Sequence, residues 1–253
     1  MPTVRLTVAY DGSSFHGFAA NPGVSTVQAL LAEAISTVVR RPVVLTGAGR
    51  TDAGVHAWGQ VVSCSLPGDV DLDDLARRLN KMLAPGIAVR GAAWTSDGFH
   101  ARHTATWRQY RYDVWNDPAP NPLLAGRAWF VPQQLALWAM QASCDPLIGE
   151  HDFTSFCRRP KVDAAAPELS MVRRVLSATW RTLDTPAHLR FEIRANAFCH
   201  QMVRSIVGTL VDIGLGKATP GDVRGILVAR DRDAAGQVAP PHGLTLWEVG
   251  YAS

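Results

Sequence analysis

Residues 47–60, GAGRTDAGVHAWGQ, gather Arg50, Thr51, Asp52 and His56 among four glycines. Glycine lets a chain turn sharply and approach a ligand closely. Three chemistries suit so bare a loop: cradling phosphate, holding a metal, or presenting one catalytic carboxylate. Gly47-Ala48-Gly49 begins the G-x-G-x-x-G pattern, but Asp52 stands where the third glycine belongs. No Gly-Lys-Ser/Thr follows, and a carboxylate repels phosphate, so the usual nucleotide loop is excluded. For a metal, Asp52 and His56 lie four residues apart, and His100 and His103 lie three apart. There is no H-E-x-x-H and no carboxylate cluster to complete a ligand set. The third reading needs only Asp52 and the cation beside it, Arg50. A neighbouring cation favours the ionised form of a carboxylate, which can then act as nucleophile or base. The same residues also suit a structural Arg–Asp pair in a tight turn, and residue types alone leave that alternative open.

A chain of 253 residues with 47% apolar composition suffices for one large or two smaller cores. Charged residues at 19% and a mean hydropathy of +0.01 indicate a soluble, globular chain. The N-terminal MPTVRLTVAYDG lacks a basic stretch followed by an apolar run, so no signal peptide is expected. No apolar run is long enough to span a bilayer. Cys64, Cys144, Cys157 and Cys199 form no C-x-x-C and match no zinc spacing, which suits reduced thiols in a cytoplasmic protein. The net charge of +3 is mild, but arginine outnumbers lysine by 22 to three. Arginine suits phosphate forks and base stacking, and codon bias yields the same excess.

The elements that must position the loop follow from periodicity. TVRLTVAY (3–10) alternates and ends at Asp11-Gly12, a strand and its turn. Ser25-Thr26-Val27-Gln28 fits a capping box opening a helix to Arg40, with Val27, Leu30, Leu31, Ala34, Ile35 and Val38 inward. VVLTGAG (43–49) and GQVVSCSL (59–66) read as strands on either side of the loop. A helix with an acidic first turn runs from Asp71 to Leu83, and IAVRGAAW (87–94) is a strand. Residues 1–95 thus follow the β-α-β-β-α-β order of ferredoxin-like folds. Further on, 106–116, 172–180, 188–196 and 244–251 read as strands, and 132–149, 199–214 and 220–229 as helices. RRPKVDAAAPE (158–168) reads as a basic loop. The fold class expected is α+β, two ferredoxin-like or RRM-like halves with mainly antiparallel sheets, split as 1–104 and 105–253. Such sheets often bind looped RNA on an open face carrying aromatics.

The loop resembles the catalytic signature of the TruA family of tRNA pseudouridine synthases, A-G-R-T-D-x-G-V-H-A, here Ala48 to Ala57. Other segments resemble the family's motifs in its own order. These are Tyr10-Asp11-Gly12-Ser13, Phe99-His100-Ala101-Arg102, Tyr110-Arg111-Tyr112, Asp152-Phe153-Thr154-Ser155-Phe156, Asn196-Ala197-Phe198 with Met202-Val203-Arg204, and Gly243-Leu244 with Leu246. Two departures stand out. Gly17-Phe18-Ala19-Ala20-Asn21 replaces the family's Trp and Gln-x-Gln, and Cys199 replaces its usual Leu.

The resemblance implies isomerisation of uridine to pseudouridine at positions 38, 39 and 40 of the tRNA anticodon stem-loop, with no cofactor and no metal. It implies catalytic roles for Asp52, Tyr110 and Arg204, and substrate binding by Arg50, Thr51, His56, Arg102, Leu244 and Leu246. On this basis Tyr110 stacks on the uracil, and Leu244 or Leu246 walls the pocket. Arg204, alone on an apolar helix face, needs a partner, and Asp52 is the one expected. Arg5, Arg77, Arg78, Arg158, Arg159, Arg173 and Arg174 are candidate phosphate contacts, with Lys161 beside them. The resemblance also implies a cytoplasmic homodimer with its active site between the two halves. A noncatalytic RNA-binding module and an Asp52–His56 metal hydrolase are the competing readings.

Overall fold

In the computed structural model, residues 1–158 and 170–252 are described. The expected basic loop therefore lies outside the described residues except for Arg158, as do Arg159 and Lys161. Contacts divide the chain into two compact units, Met1–Thr106 with Thr245–Ser253, and Trp107–Leu244. The closing strand thus packs with the first unit, although it follows the second in sequence.

The first unit is built on β1 (Thr3–Tyr10), whose even-numbered residues Val4, Leu6, Val8 and Tyr10 are buried. Burial of each aliphatic side chain contributes about 2 kcal/mol. Helix α1 (Val27–Val39) follows, then β2 (Thr46–Gly47), β3 (His56–Ser65), α2 (Leu72–Leu83) and β4 (Ile87–Trp94). β1 lies antiparallel between β3 and β4, and β2 pairs antiparallel with β3. This is the 4-1-3-2 order of a ferredoxin-like unit. The last strand, β10 (Leu244–Tyr251), runs parallel to the start of β3, with Thr245 opposite His56 and Leu246 opposite Ala57.

Two expectations for this unit are corrected. The strand expected over 43–49 shrinks to Thr46–Gly47. Pro42 removes one donor, and the neighbouring Val43 N–H is taken by the Ser36 hydroxyl. Nor does Ser25 form a capping box. The helix cap is Thr26, without a side-chain cap bond. The Val27 and Gln28 amides donate instead to the Gly17 and Phe18 carbonyls. The Gln28 side chain bridges Ala20 N–H and Leu45 C=O. The backbone of Gly17 and Phe18 therefore engages the helix start that a side chain was expected to cap. Helix α2 conforms to its sequence signal, with Asp71 accepting from the Asp73 and Asp74 amides.

The second unit carries β5 (Ala105–Trp115), β6 (Trp129–Phe130), α3 (Leu137–Ala142), β7 (Gly149–Asp152), β8 (Val172–Thr182), β9 (His188–Ala195), α4 (Met202–Gly214) and α5 (Asp222–Ala229). Strands β5, β9, β8 and β7 are neighbours in that order and antiparallel, and β6 pairs parallel with β5. The helix expected over 132–149 is confined to Leu137–Ala142. Asn116 holds the chain before it extended, bonding Val131 O, Gln133 O and Leu135 N. Pro146 ends any continuation, and the chain passes through a 3-10 turn into β7.

Helix α4 is buried on almost every side. One side is crossed by residues 236–239, which approach so closely that a Cβ on Gly208 would lie 1.7 Å from the Gln237 carbonyl oxygen. The crossing is bonded at Gly236 N to Thr209 Oγ1, 2.9 Å, and at Ala239 N to Arg204 O, 3.1 Å. Gly208 is a glycine because no side chain fits there.

Candidate active site

The loop preceding β3 is held from beneath by three buried polar side chains. The Tyr10 and Thr51 hydroxyls hydrogen-bond at 2.7 Å, and Gln60, fully buried, donates to Gly49 O at 2.9 Å and approaches the Tyr10 hydroxyl at 3.5 Å. Buried polar groups persist only when paired, and here they pair with one another and with the loop backbone. Burial raises the Tyr10 hydroxyl to about 12, against the lowering effect of its bonds to Thr51 and Gln60. Tyr10 therefore stays a neutral structural hydroxyl near pH 7.

Asp52 opens a tight turn in which Val55 N–H returns to Asp52 C=O at 3.1 Å. Gly54, with φ of 79°, occupies the turn position that favours glycine. Behind the turn, Phe18 N–H donates to Thr51 C=O at 3.1 Å. Gly17, at φ of 94°, lies so close that a Cβ there would meet Thr51 O at 2.9 Å. Thr51 is buried, Asp52 half-buried and Arg50 exposed. The backbone of residue 52 is thus pinned on both sides while the residue itself is half-buried, an arrangement that suits a positioned acid.

His56 is almost wholly buried and serves the turn after β1. Its Nδ1 lies 3.0 Å from the Gly12 amide and 3.1 Å from Asp11 Oδ1. Unprotonated, Nδ1 accepts from Gly12; protonated, it donates to Asp11. The Asp52–His56 metal reading therefore finds the imidazole engaged with the β1 turn. Among the described residues, no three His, Cys, Asp or Glu side chains gather to hold a metal. Arg102 is exposed, and its amide caps His100 Nδ1 at 3.3 Å, as does that of His103 at 3.2 Å. Leu246 is fully buried.

In the second unit, Tyr110 is buried on β5 opposite Ile193, and Phe198 packs edge-on against its ring at 5.0 Å. Arg204, in the first turn of α4, donates from Nε to Ala239 O at 2.7 Å. With the Ala239 amide returning to its own carbonyl, the residue is fixed at both ends. Leu244 is buried. The adjoining Tyr112 hydroxyl donates to Pro240 O at 2.8 Å, and a Cβ on Gly243 would strike its ring at 2.6 Å. Residues 239–243 are thus tied to both Arg204 and β5. Asp152 and Ser155 prove structural. Asp152 caps Thr154 and pairs with Arg230, and Ser155 bridges Ile226 O and Asp231 N.

The structure separates the candidate phosphate contacts. Arg77 and Arg78 are exposed on α2, both ion-paired to Asp74. Arg158 and Arg174 are exposed, Arg5 lies over the Tyr251 ring, and Arg173 donates to the nearby Ser170 and Val172 carbonyls. Sequence reasoning missed Gln60 and the 236–239 crossing. The one signal for Gln60 is a polar residue beside the apolar Val61-Val62; the crossing has only Gly208 to mark it.

A family sequence profile described as tRNA pseudouridine synthase matches residues 6–103 and 144–252. The chain is 40% identical over 253 residues to the tRNA pseudouridine synthase A of Bacillus subtilis, covering 98% of each. It is 41% identical over 254 residues to that of Cereibacter sphaeroides, covering 99% of this chain and 98% of the relative. The tRNA pseudouridine synthase A of Leifsonia xyli is 40% identical over 268 residues, with 98% and 91% covered. The chain belongs to the tRNA pseudouridine synthase family.

Proposed function

We propose that the protein isomerises uridine to pseudouridine in tRNA, acting on positions 38, 39 and 40 of the anticodon stem-loop. The observation that carries the reading is the Arg50-Thr51-Asp52 triplet, intact and mounted on the buried Tyr10–Thr51–Gln60 cluster, with Asp52 half-buried beside exposed Arg50. The reaction breaks the N1–C1′ bond of uridine, turns the base and rejoins it through C5. No atom is gained or lost, so neither redox cofactor nor energy source is required. One carboxylate suffices for the covalent work, by attack at C1′, by attack at C6, or by first removing a sugar proton.

The target nucleotide must leave its stack, at a cost of about a few kcal/mol. Arg50, exposed beside the acid, suits the vacated position or the flipped nucleotide's phosphate. Thr51 and His56 act by holding the loop and the β1 turn. Tyr110 is assigned to the uracil face, Arg204 to balancing the carboxylate's charge, and Leu244 and Leu246 to the apolar wall. Arg102 is assigned to the RNA backbone. The protein is further proposed to be a cytoplasmic homodimer; elution at the 27.4 kDa of one chain would count against the dimer.

Release of tritium from tRNA carrying 5-tritiated uridine tests the reading. Wild type releases it, and Asp52→Ala, folded and still binding tRNA, falls by about a thousandfold or more. No release by a wild type that binds tRNA would favour a noncatalytic RNA-binding module instead.

A further inference from the structure

Cys157 and Cys199 come together although they are distant in sequence. Cys157 ends the 3-10 turn Thr154–Phe156, its amide donating to Thr154 O at 3.2 Å. Cys199 precedes α4, its carbonyl accepting from the Met202 amide at 3.2 Å. The residues that follow them are joined directly, Arg158 N–H to His200 C=O at 3.0 Å. That bond sets the two cysteines side by side, and Cys199 Sγ lies 4.0 Å from the Met171 carbonyl oxygen. Cys157 is 1% exposed, whereas Cys199 is partly exposed. Immediately before Cys199 stands Phe198, whose ring packs on Tyr110 at 5.0 Å.

We propose that Cys157 and Cys199 form a thiol–disulfide site that closes with a small-molecule disulfide as oxidant and, through Phe198, alters the setting of Tyr110. The second half of this inference rests on the proposed role of Tyr110; the thiol chemistry does not. The partly exposed Cys199 is the entry point. As thiolate it attacks one sulfur of the oxidant RSSR, releasing RS⁻ and leaving a mixed disulfide. Cys157 then gives up its proton, attacks the Cys199 sulfur and expels the second RS⁻. The balance is two protein thiols and RSSR in, one protein disulfide and two RSH out.

The electrostatics agree with this order. The hydrogen bond from Cys157, aided by the Arg173 guanidinium, holds the Cys199 thiol below its ordinary range. The same bond and burial push Cys157 up. The other two cysteines are buried, and burial raises Cys64 to about 11 and Cys144 to about 12, leaving neither primed for attack.

The test treats the whole protein with oxidised glutathione, quenches with acid and reads mass and residual thiols. Wild type should lose two of its four thiols and the mass of two hydrogens, with a 157–199 cross-linked peptide reversed by dithiothreitol. Cys157→Ser should stop at one glutathione on Cys199, and Cys199→Ser should not react. A stable glutathione adduct on wild type, or reaction at Cys64 or Cys144, would overturn the site. In parallel, tritium release by oxidised wild type should fall at least severalfold and recover on reduction, while Cys199→Ser, which does not react, should be indifferent to oxidant. Closure without change in release would overturn the link to Tyr110. Inactivity of the reduced enzyme would fault the functional reading and leave the thiol result standing.

Discussion

The Tyr10 hydroxyl on β1 and the Thr51 hydroxyl in the loop before β3 lie 2.7 Å apart in the core of the first unit. This bond joins the first strand of the chain to the residue immediately before the acid. It turns the position of Asp52 into a property of the sheet and removes it from the freedom of a glycine-rich loop. Precision of about an ångström at a reacting group is worth orders of magnitude in rate, so under the proposed role of Asp52 the bond bears on catalysis as well as stability.

Tyr10→Phe isolates that bond. The ring and its packing beside Phe18 at 6.3 Å remain, while the Thr51 hydroxyl and Gln60 amide each lose a partner. The expected cost is about 1–2 kcal/mol, read as a lowered chemical-denaturation midpoint with unchanged m-value. Tritium release should fall in kcat more than in KM, because the loss is one of positioning.

Alkaline pH should destabilise the fold through the same hydroxyl. Its folded value is raised to about 12 from an ordinary 10.0, so the folded state holds the proton more tightly than the unfolded chain. That contribution is complete below pH 10 and is lost as pH rises toward 12. Buried Tyr112 is pushed up in the same direction, again chiefly by burial. Stability measured between pH 10 and 12 should decline steeply in wild type and less steeply in Tyr10→Phe. Equal slopes would show that Tyr10 does not titrate with unfolding.

Gly208→Ala tests the crossing over α4. The added methyl meets the Gln237 carbonyl, a backbone atom that cannot swing aside. Either the 236–239 segment lifts or α4 shifts, at an expected cost of about 2–4 kcal/mol. Lifting also frees the Ala239 carbonyl from Arg204. Thermal unfolding and tritium release should therefore both suffer, whereas Gly225→Ala, exposed within α5 with open space at its Cβ, should leave tritium release unchanged and raise stability by about 0.5–1 kcal/mol.

Tyr110→Phe and Tyr110→Leu separate ring from hydroxyl. With Tyr110 on the uracil face, Phe keeps base stacking and tRNA binding, and any loss belongs to the hydroxyl, read as slower release of the proton that leaves C5 once the base rejoins there. Leu removes the stacking face and the edge contact with Phe198. Single-turnover tritium release against product mapping distinguishes the two. Equal behaviour of Phe and wild type would confine the residue's part to its ring.

Much of this molecule is written locally. Alternation in TVRLTVAY and HLRFEIRA produces β1 and β9 with every second residue buried, because strand side chains alternate between faces. Asp71 caps α2 as its type and place predict. The A-G-R-T-D-A-G-V-H-A stretch marks the acid loop by residue identity alone. Local signals failed where a distant segment supplied the bonds. The start of α1 is satisfied by the carbonyls of Gly17 and Phe18, so Ser25 was never needed as a cap. The strand expected over 43–49 lost most of its length beside Ser36 and Gln28, and the helix expected over 132–149 lost its first turn to Asn116.

Periodicity and motif thus specify the elements and the identity of the candidate acid, since both are carried by neighbours along the chain. How firmly that acid is held rests on Tyr10, Thr51 and Gln60, which meet only when β1 and β3 pair. The closure over Gly208 and the meeting of Cys157 with Cys199 arise in the same way. They depend on close packing between residues far apart in sequence, where a single carbonyl or sulfur decides what fits, and no spacing rule along the chain records such an encounter.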